Sequence, residues 1–346
     1  MAIPSLSIDD FIKQRSRKAI FDVRSPGEYS RACIPGALNL PLFDDKERAL
    51  VGTTYTKRGK EEAVELGLKF VGPKLARFVR LVRRDSQGRD ILVHCWRGGM
   101  RSSSVAWLLA TAGFNVATLR GGYKSYRRLC QEYFSRKWKI VILSGPTGSG
   151  KTAVLQHLRD LGEQVIDLEG IANHKGSAFG SLGQDVQPST EMFENLLFEQ
   201  LYTCDPGRPI WLEDESMSIG TVFIPNSLFL QMTLAPSIVL NVPVDVRTER
   251  LVEDYGCFTA EELIGCINKL SKRLGGNSVN EAVLAVNAGD LNGAVGLTLK
   301  YYDKAYGYGL EKRNPAMVFS ISQPCRDAKQ NALLALGLLK SKKEVW

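Results

Sequence analysis

A chain of 346 residues has room for two domains, and its 44% apolar and 24% charged residues are those of an ordinary globular protein. No run of eighteen apolar residues occurs, and the first ten residues lack the basic start and apolar run of a secretory leader, so no membrane span is expected and the cytoplasm is the expected address. Seven scattered cysteines without CxxC spacing do not read as a disulfide framework or a zinc site. The net charge of +8 is unevenly shared: residues 1–137 hold 26 Lys and Arg against 13 Asp and Glu (+13), and residues 138–346 hold 19 against 24 (−5). A positive field on the first part favours a polyanion such as RNA; the alternative is a solvated basic surface.

Residues 1–135 are expected to form the first domain. Ala19 to Arg24 is a short strand, Ser25-Pro26-Gly27-Glu28-Tyr29 turns into a helix, and Ile34-Pro35-Gly36-Ala37-Leu38-Asn39 leads into another short strand. Residues 44–72 are a polar insertion, either a cover for an active edge or a solvated excursion. Leu75, Phe78, Val79 and Val82 recur at helical spacing with arginines opposite, Ile91-Leu92-Val93 is a buried strand, 105–110 is helical, and 116–119 is the next strand. Short apolar strands alternating with helices imply a parallel α/β domain.

Active groups of such a sheet lie beyond the carboxyl ends of its strands. Cys95 stands there, at the start of the turn Cys95-Trp96-Arg97-Gly98-Gly99-Met100-Arg101-Ser102. The N–H groups of 96–101 can surround its sulfur, and Arg97 and Arg101 add positive charge, a setting for a thiolate and an anion it attacks. Cys33, Cys130, Cys204, Cys257, Cys266 and Cys325 lack that setting. His94 either orients the loop or fills the strand end, and Asp22 with Arg24 either supports the loop or forms a plain ion pair.

The blocks Asp22-Val23-Arg24-Ser25-Pro26-Gly27-Glu28-Tyr29, Ile34-Pro35-Gly36-Ala37-Leu38-Asn39 and the Cys95 loop together resemble a rhodanese domain. The resemblance implies sulfur or selenium carried on Cys95. One departure is Ala32-Cys33, where a rhodanese has Gly-His, and it bears on local packing. The same loop also fits His-Cys-x5-Arg-Ser, the signature of cysteine phosphatases and arsenate reductases.

Residues 136–255 are expected to form the second domain. The strand Trp138 to Ser144 runs straight into Gly145-Pro146-Thr147-Gly148-Ser149-Gly150-Lys151-Thr152 and a helix, the context a phosphate-binding loop requires. Loop N–H groups and the helix start cradle phosphate, Lys151 supplies a point charge, and Thr152 can coordinate Mg2+. Acidic strand ends follow at Asp167–Glu169 and at Glu213-Asp214-Glu215; one of them is expected to face the loop and hold a metal with Thr152, with Glu213, Asp214 and Glu215 the better candidates and Glu213 and Asp214 foremost, and the alternative is acidic helix caps. Arg247 and Arg250 either reach a phosphate or are exposed helix arginines. The small, polar loop 169–180 places His174, Lys175 and Ser177 as candidate contacts to a second substrate.

Residues 256–346 read as a mainly helical region, with Leu263, Ile267 and Leu270 at helical spacing, and Val283 with Leu284. Tyr301, Tyr302, Tyr306 and Tyr308 interleave with Lys300 and Lys304, suited to stacking on unpaired bases or to an amphipathic helix packed on the phosphate-binding domain. Lys340, Lys342 and Lys343 make a weak basic tail.

The two halves together resemble the bacterial tRNA 2-selenouridine synthases. Asp167-Leu168-Glu169-Gly170, the run Ala172 to Gly180, Phe193-Glu194-Asn195 and Trp211 to Ser216 add to the two loops. The fold so implied is a rhodanese-like parallel-sheet domain, then a P-loop α/β domain and a helical C-terminal region. The resemblance further implies a transferase acting on wobble 2-thiouridine (position 34) of tRNAs for lysine, glutamate and glutamine. It geranylates the sulfur with geranyl diphosphate, then exchanges the geranylthio group for selenium from selenophosphate. No tightly bound cofactor is expected. The other reading is a cysteine phosphatase or arsenate-reductase-like domain fused to a P-loop kinase. No feature of the sequence sets an oligomeric state.

Overall fold

The computed structural model describes residues 3–86, 88–321 and 325–342. Its contacts divide the chain into two compact units, Met1–Tyr133 and Phe134–Trp346. Of the basic tail, Lys343 lies outside the described residues.

The first unit contains β1 (Ser5–Leu6), α1 (Ile8–Gln14), β2 (Ala19–Asp22), α2 (Pro26–Arg31), β3 (Leu38–Asn39), α3 (Asp45–Arg58), α4 (Lys60–Val71), α5 (Leu75–Asp85), β4 (Asp90–His94), α6 (Met100–Thr111) and β5 (Asn115–Leu119), and closes with α7 (Gly122–Phe134). The sheet order is β1-β5-β4-β2-β3, with every pairing parallel. The β4 side chains are buried from Ile91 to His94, which is why that strand reads as an unbroken apolar run. Helix α5 buries Phe78 and Val82 and exposes Arg77, Arg80, Arg83 and Arg84.

The insertion is helical. Asp44 caps α3 through a reciprocal bond with Glu47, and α3 packs on α4. Asp45 accepts from the Gly27 amide at 3.0 Å, and Lys74 pairs with Glu47. Arg48 lies 3.5 Å from Glu28, so α3 is tied to the sheet edge that carries the cysteine loop.

The second unit contains β6 (Ile140–Ser144), α8 (Lys151–Asp160), β7 (Gln164–Ile166), α9 (Leu168–Ala172), α10 (Thr190–Thr203), β8 (Ile210–Glu213), a small antiparallel pair β9 (Ser218–Ile219) and β10 (Val222–Phe223), α11 (Asn226–Leu234), β11 (Ser237–Val239), α12 (Val244–Tyr255), α13 (Ala260–Lys269), α14 (Ser271–Leu274), α15 (Gly276–Asn287), α16 (Leu291–Glu311), β12 (Val318–Ser320) and α17 (Ala328–Ser341). Its sheet order is β12-β11-β6-β8-β7, all parallel. The last third of the chain is therefore not helix alone: β12 completes this sheet, and α17 packs on α8. Leu263, Ile267, Val279, Ala282, Val286 and Ala294 form a separate small core among α13, α15 and α16. Leu284 points outward, 68% exposed, because α15 buries only the face bearing Val279, Ala282 and Val286.

Candidate functional site

In the first unit Cys95 leaves the end of β4 directly into the turn that starts α6. The sulfur is buried and lies 3.2 Å from Ser102 Oγ, which also lies 3.0 Å from Gly99 O. A second turn braces the loop: the amides of Tyr123 and Lys124 donate to the carbonyls of Cys95 (2.8 Å) and Trp96 (3.0 Å). Gly122, with φ 60°, makes that approach possible, because a Cβ there would overlap the Cys95 carbonyl. Arg24 sits beneath, buried. It grips Asp22 through Nε (2.8 Å) and a second nitrogen (2.6 Å), and its guanidinium lies 3.9 Å from the Tyr123 ring centre. This pair supports the loop through Tyr123 and Trp96.

His94 is fully buried between Phe11 and Tyr123, with neither ring nitrogen hydrogen-bonded, and burial pushes its pKa down. Its ring fills the strand end, with Nε2 3.8 Å from Asp22 Oδ2. Arg101 donates to Glu28 at 2.7 Å and is held by α2, while Arg97 is exposed. The Glu28 carboxyl is stabilised as the anion by Arg101, against its burial.

In the second unit the turn between β6 and α8 carries the phosphate loop, with Gly145, Gly148 and Gly150 at positive φ and Ser149 buried beneath. Thr147 and Gly148 present carbonyls that two arginines of α12 hold from outside. Arg247 donates to Thr147 O at 3.0 Å, and Arg250 to Gly148 O at 2.9 Å. Arg247 is buried and also paired with Asp303, so both arginines shape the loop from its outer side. Lys151 Nζ donates to Gly145 O at 2.9 Å, and Thr152 Oγ1 lies 3.4 Å from Glu169 Oε2.

The carboxylates beside the loop differ from those expected. Glu213 is buried and accepts from the Leu168 amide at 2.9 Å; burial and the charges of Asp167 and Glu169 push its pKa well up. Asp214 is taken by Arg313 at 2.6 Å and by the Ser144 hydroxyl. Glu169 and Glu215 instead lie together near Lys151. Burial, then Glu169, pushes Glu215 up to about 8, against the pull of Lys151. Of the expected candidates Glu213, Asp214 and Glu215, only Glu215 lies near Lys151, and the acid that meets Thr152 is Glu169 of the other strand end. Strand alternation turns Glu213 into the α9 contact, and a distant arginine claims Asp214.

The loop after α9 folds over these acids. Gly176 has no room for a side chain: a Cβ would stand 2.7 Å from Glu215 Oε1 and 2.8 Å from Glu169 Oε1. Its turns are closed by Lys175 N to Gly180 O (3.0 Å) and Ala178 N to the Tyr302 hydroxyl (3.0 Å). The Ser177 hydroxyl accepts from the Phe179 amide at 3.2 Å. His174 packs against Gly180 and Gly220, and Lys175 is exposed. Of these three expected contacts, Ser177 faces the loop side.

Thr147 and Ser177 also line a narrow apolar cavity of about 50 Å³. Its walls are Leu263 and Ile267 of α13, Val286 of α15, and Ala294 and Leu299 of α16. Nothing in the local sequence marked this cavity, since its walls come from four separate helices, α12 included. No helix among the described residues is long and apolar enough to cross a membrane.

Residues 138–330 match the family described as the AAA domain of tRNA 2-selenouridine synthase, and residues 7–129 match the rhodanese-like domain. A tRNA 2-selenouridine synthase of Shewanella frigidimarina is 36% identical over 342 residues, covering 87% of this chain and 91% of its own. That of Aeromonas salmonicida is 35% identical, covering 92% and 95%. That of Psychromonas ingrahamii is 32% identical, covering 87% and 90%.

Proposed function

The chain belongs to the tRNA 2-selenouridine synthase family of transferases, and on that premise we propose that it modifies wobble 2-thiouridine of tRNAs for lysine, glutamate and glutamine in two steps, geranylation and then selenium exchange. The observation that carries the first step is the apolar cavity opening at Thr147 of the phosphate loop. A diphosphate on the loop amides and Lys151 directs its hydrocarbon into that cavity. A nucleotide has no group that gains from an apolar space walled by leucine, isoleucine and valine.

In this step the thiocarbonyl sulfur bonds to C1 of the geranyl group. The C1–O bond breaks, diphosphate leaves with the electron pair, and N3 of the base loses its proton to solvent. The loop amides and Lys151 stabilise the charge that develops on the leaving oxygen. Thr152, Glu169 and Glu215 would hold an Mg2+ ion by their oxygens, and such an ion would neutralise diphosphate charge.

The Cys95 loop serves the second step. Selenium is at the selenide level in selenophosphate and in selenouridine, so the exchange is redox-neutral. The C2–Se bond forms, and the C2–S bond breaks with loss of geranylthiolate. The P–Se bond then breaks as phosphorus is taken by the Cys95 thiolate, N3 regains a proton from solvent, and water later releases phosphate. A perselenide on Cys95 needs an oxidant, which neither selenophosphate nor the tRNA supplies. The loop amides around Cys95 suit a phosphoryl anion.

The test is mass spectrometry of nucleosides from 2-thiouridine tRNA incubated with geranyl diphosphate and selenophosphate, separately and together. The expected products are the S-geranyl nucleoside with the first alone and selenouridine with both. Turnover of phosphate esters without any tRNA product would defeat the reading.

A further inference from the structure

A second, more polar cleft of about 350 Å³ opens between α11, α16 and the exit of β8. Its size is within the range of small-molecule sites. Phe229 and Tyr306 supply flat apolar surfaces, and the hydroxyls of Ser216 and Thr233, which donate to Ser218 O and Leu230 O, keep lone pairs to accept with. At the rim Lys312 is exposed, its ammonium 4.1 Å from the Tyr308 ring centre. Glu215 lines the inner end, and that carboxylate also faces Glu169 under Gly176, beside the phosphate loop. One turn along α16, Tyr302 lines the apolar cavity where Tyr306 lines the cleft.

From this juxtaposition we propose that the cleft binds the acceptor nucleoside of the RNA, turned out of its stack, with its base between Phe229 and Tyr306. The inference rests on the reading of the phosphate loop as a prenyl diphosphate site. A pyrimidine has two apolar faces and a polar edge, which the cleft matches; a base must leave its stack for a transferred group to reach it. Lys312 at the rim then meets the adjoining phosphate. Tyr306 itself is anchored by Ser144, 3.1 Å from its hydroxyl, so the ring is held in place before RNA binds.

The test uses the full chain and a 2-thiouridine RNA hairpin. A Cβ on Gly309, which lines the cleft, meets nothing within 4 Å, so Gly309→Trp fills the cleft without disturbing the helix. Gly307 on the same helix is equally open and does not line the cleft, so Gly307→Trp is the control. Gly309→Trp is expected to raise KM for the hairpin about tenfold or more, the cost of one lost base stack. Its affinity for geranyl diphosphate and its melting temperature are expected to match those of Gly307→Trp. A hairpin carrying 4-thiouridine at the wobble position is expected to photocrosslink to 214–216, 229–233 or 305–313 in wild type and not in Gly309→Trp. An unchanged KM with crosslinks elsewhere overturns the inference, as does loss of geranyl diphosphate binding in place of RNA binding. Crosslinking at the cleft by an enzyme that forms no geranylated nucleoside instead overturns the prenyl reading and leaves the cleft assignment standing.

Discussion

Arg247 and Asp303 meet in a two-pronged ion pair, 2.8 Å on each prong, that joins α12 to α16. The same guanidinium holds the carbonyl of Thr147, so this pair ties the phosphate loop to the helix that walls the apolar cavity. Asp303→Ala leaves a buried guanidinium with one partner fewer. It is expected to cost about 1.5–3 kcal/mol of stability, the worth of hydrogen bonds to a charged group. Urea denaturation checks this, and the affinity for inorganic diphosphate is expected to fall with it.

The two loops are expected to separate genetically. Lys151→Ala removes the compact charge on diphosphate and is expected to lower geranylation about 10²–10³-fold. Given pre-geranylated tRNA and selenophosphate, the same variant is expected to keep most of its selenation. Cys95→Ser is expected to geranylate normally and to form no selenouridine. Nucleoside mass spectrometry reads both steps, and equal loss of both in folded Lys151→Ala protein would refute the division.

Cavity filling offers a third check. Ala294→Phe places a ring where the hydrocarbon is proposed to lie. Affinity for geranyl diphosphate is expected to fall at least about tenfold, since each buried CH2 contributes about 0.8 kcal/mol. Affinity for inorganic diphosphate is expected to stay at the wild-type value, which also reports an intact loop. Calorimetric titration of both ligands decides it.

Glu215 makes stability depend on pH. Its folded pKa of about 8 stands above the ordinary 4.5, so folding has to expel solvent from a group that prefers to be neutral there. Below pH 4.5 the group is protonated in both states and costs nothing. As pH rises from 4.5 to 8 the unfolded chain ionises first, and the stability the protonated carboxyl supplied is lost. Glu215→Gln is therefore expected to gain stability relative to wild type as pH rises from 4.5 to 8, and the two are expected to converge below pH 4.5. A parallel pair of melting curves across that range would show that Glu215 is not the group responsible.

The position of both loops between a strand and a helix was legible in the residues alone, and so was the α/β class. Each loop is contiguous: Cys95 to Ser102 and Gly145 to Thr152 carry their geometry in adjacent backbone groups, glycines and a helix start, so order along the chain is enough. The acid partners were not legible, because Glu213, Asp214 and Glu215 are equivalent as text. Tertiary packing separated them. The Leu168 amide took Glu213, Arg313 took Asp214 from 99 positions away, and Glu215 was left to meet Glu169 beneath Gly176. The brace of Gly122 against Cys95 and the seat of Arg247 on Thr147 are likewise long-range backbone contacts that periodicity does not encode. The tyrosines of α16 read equally well as a stacking patch or a packed face; the fold turned Tyr302 and Tyr306 inward and left Tyr308 in solvent. Local chemistry is written in neighbouring residues, whereas a cavity exists only once helices distant in sequence have packed side by side.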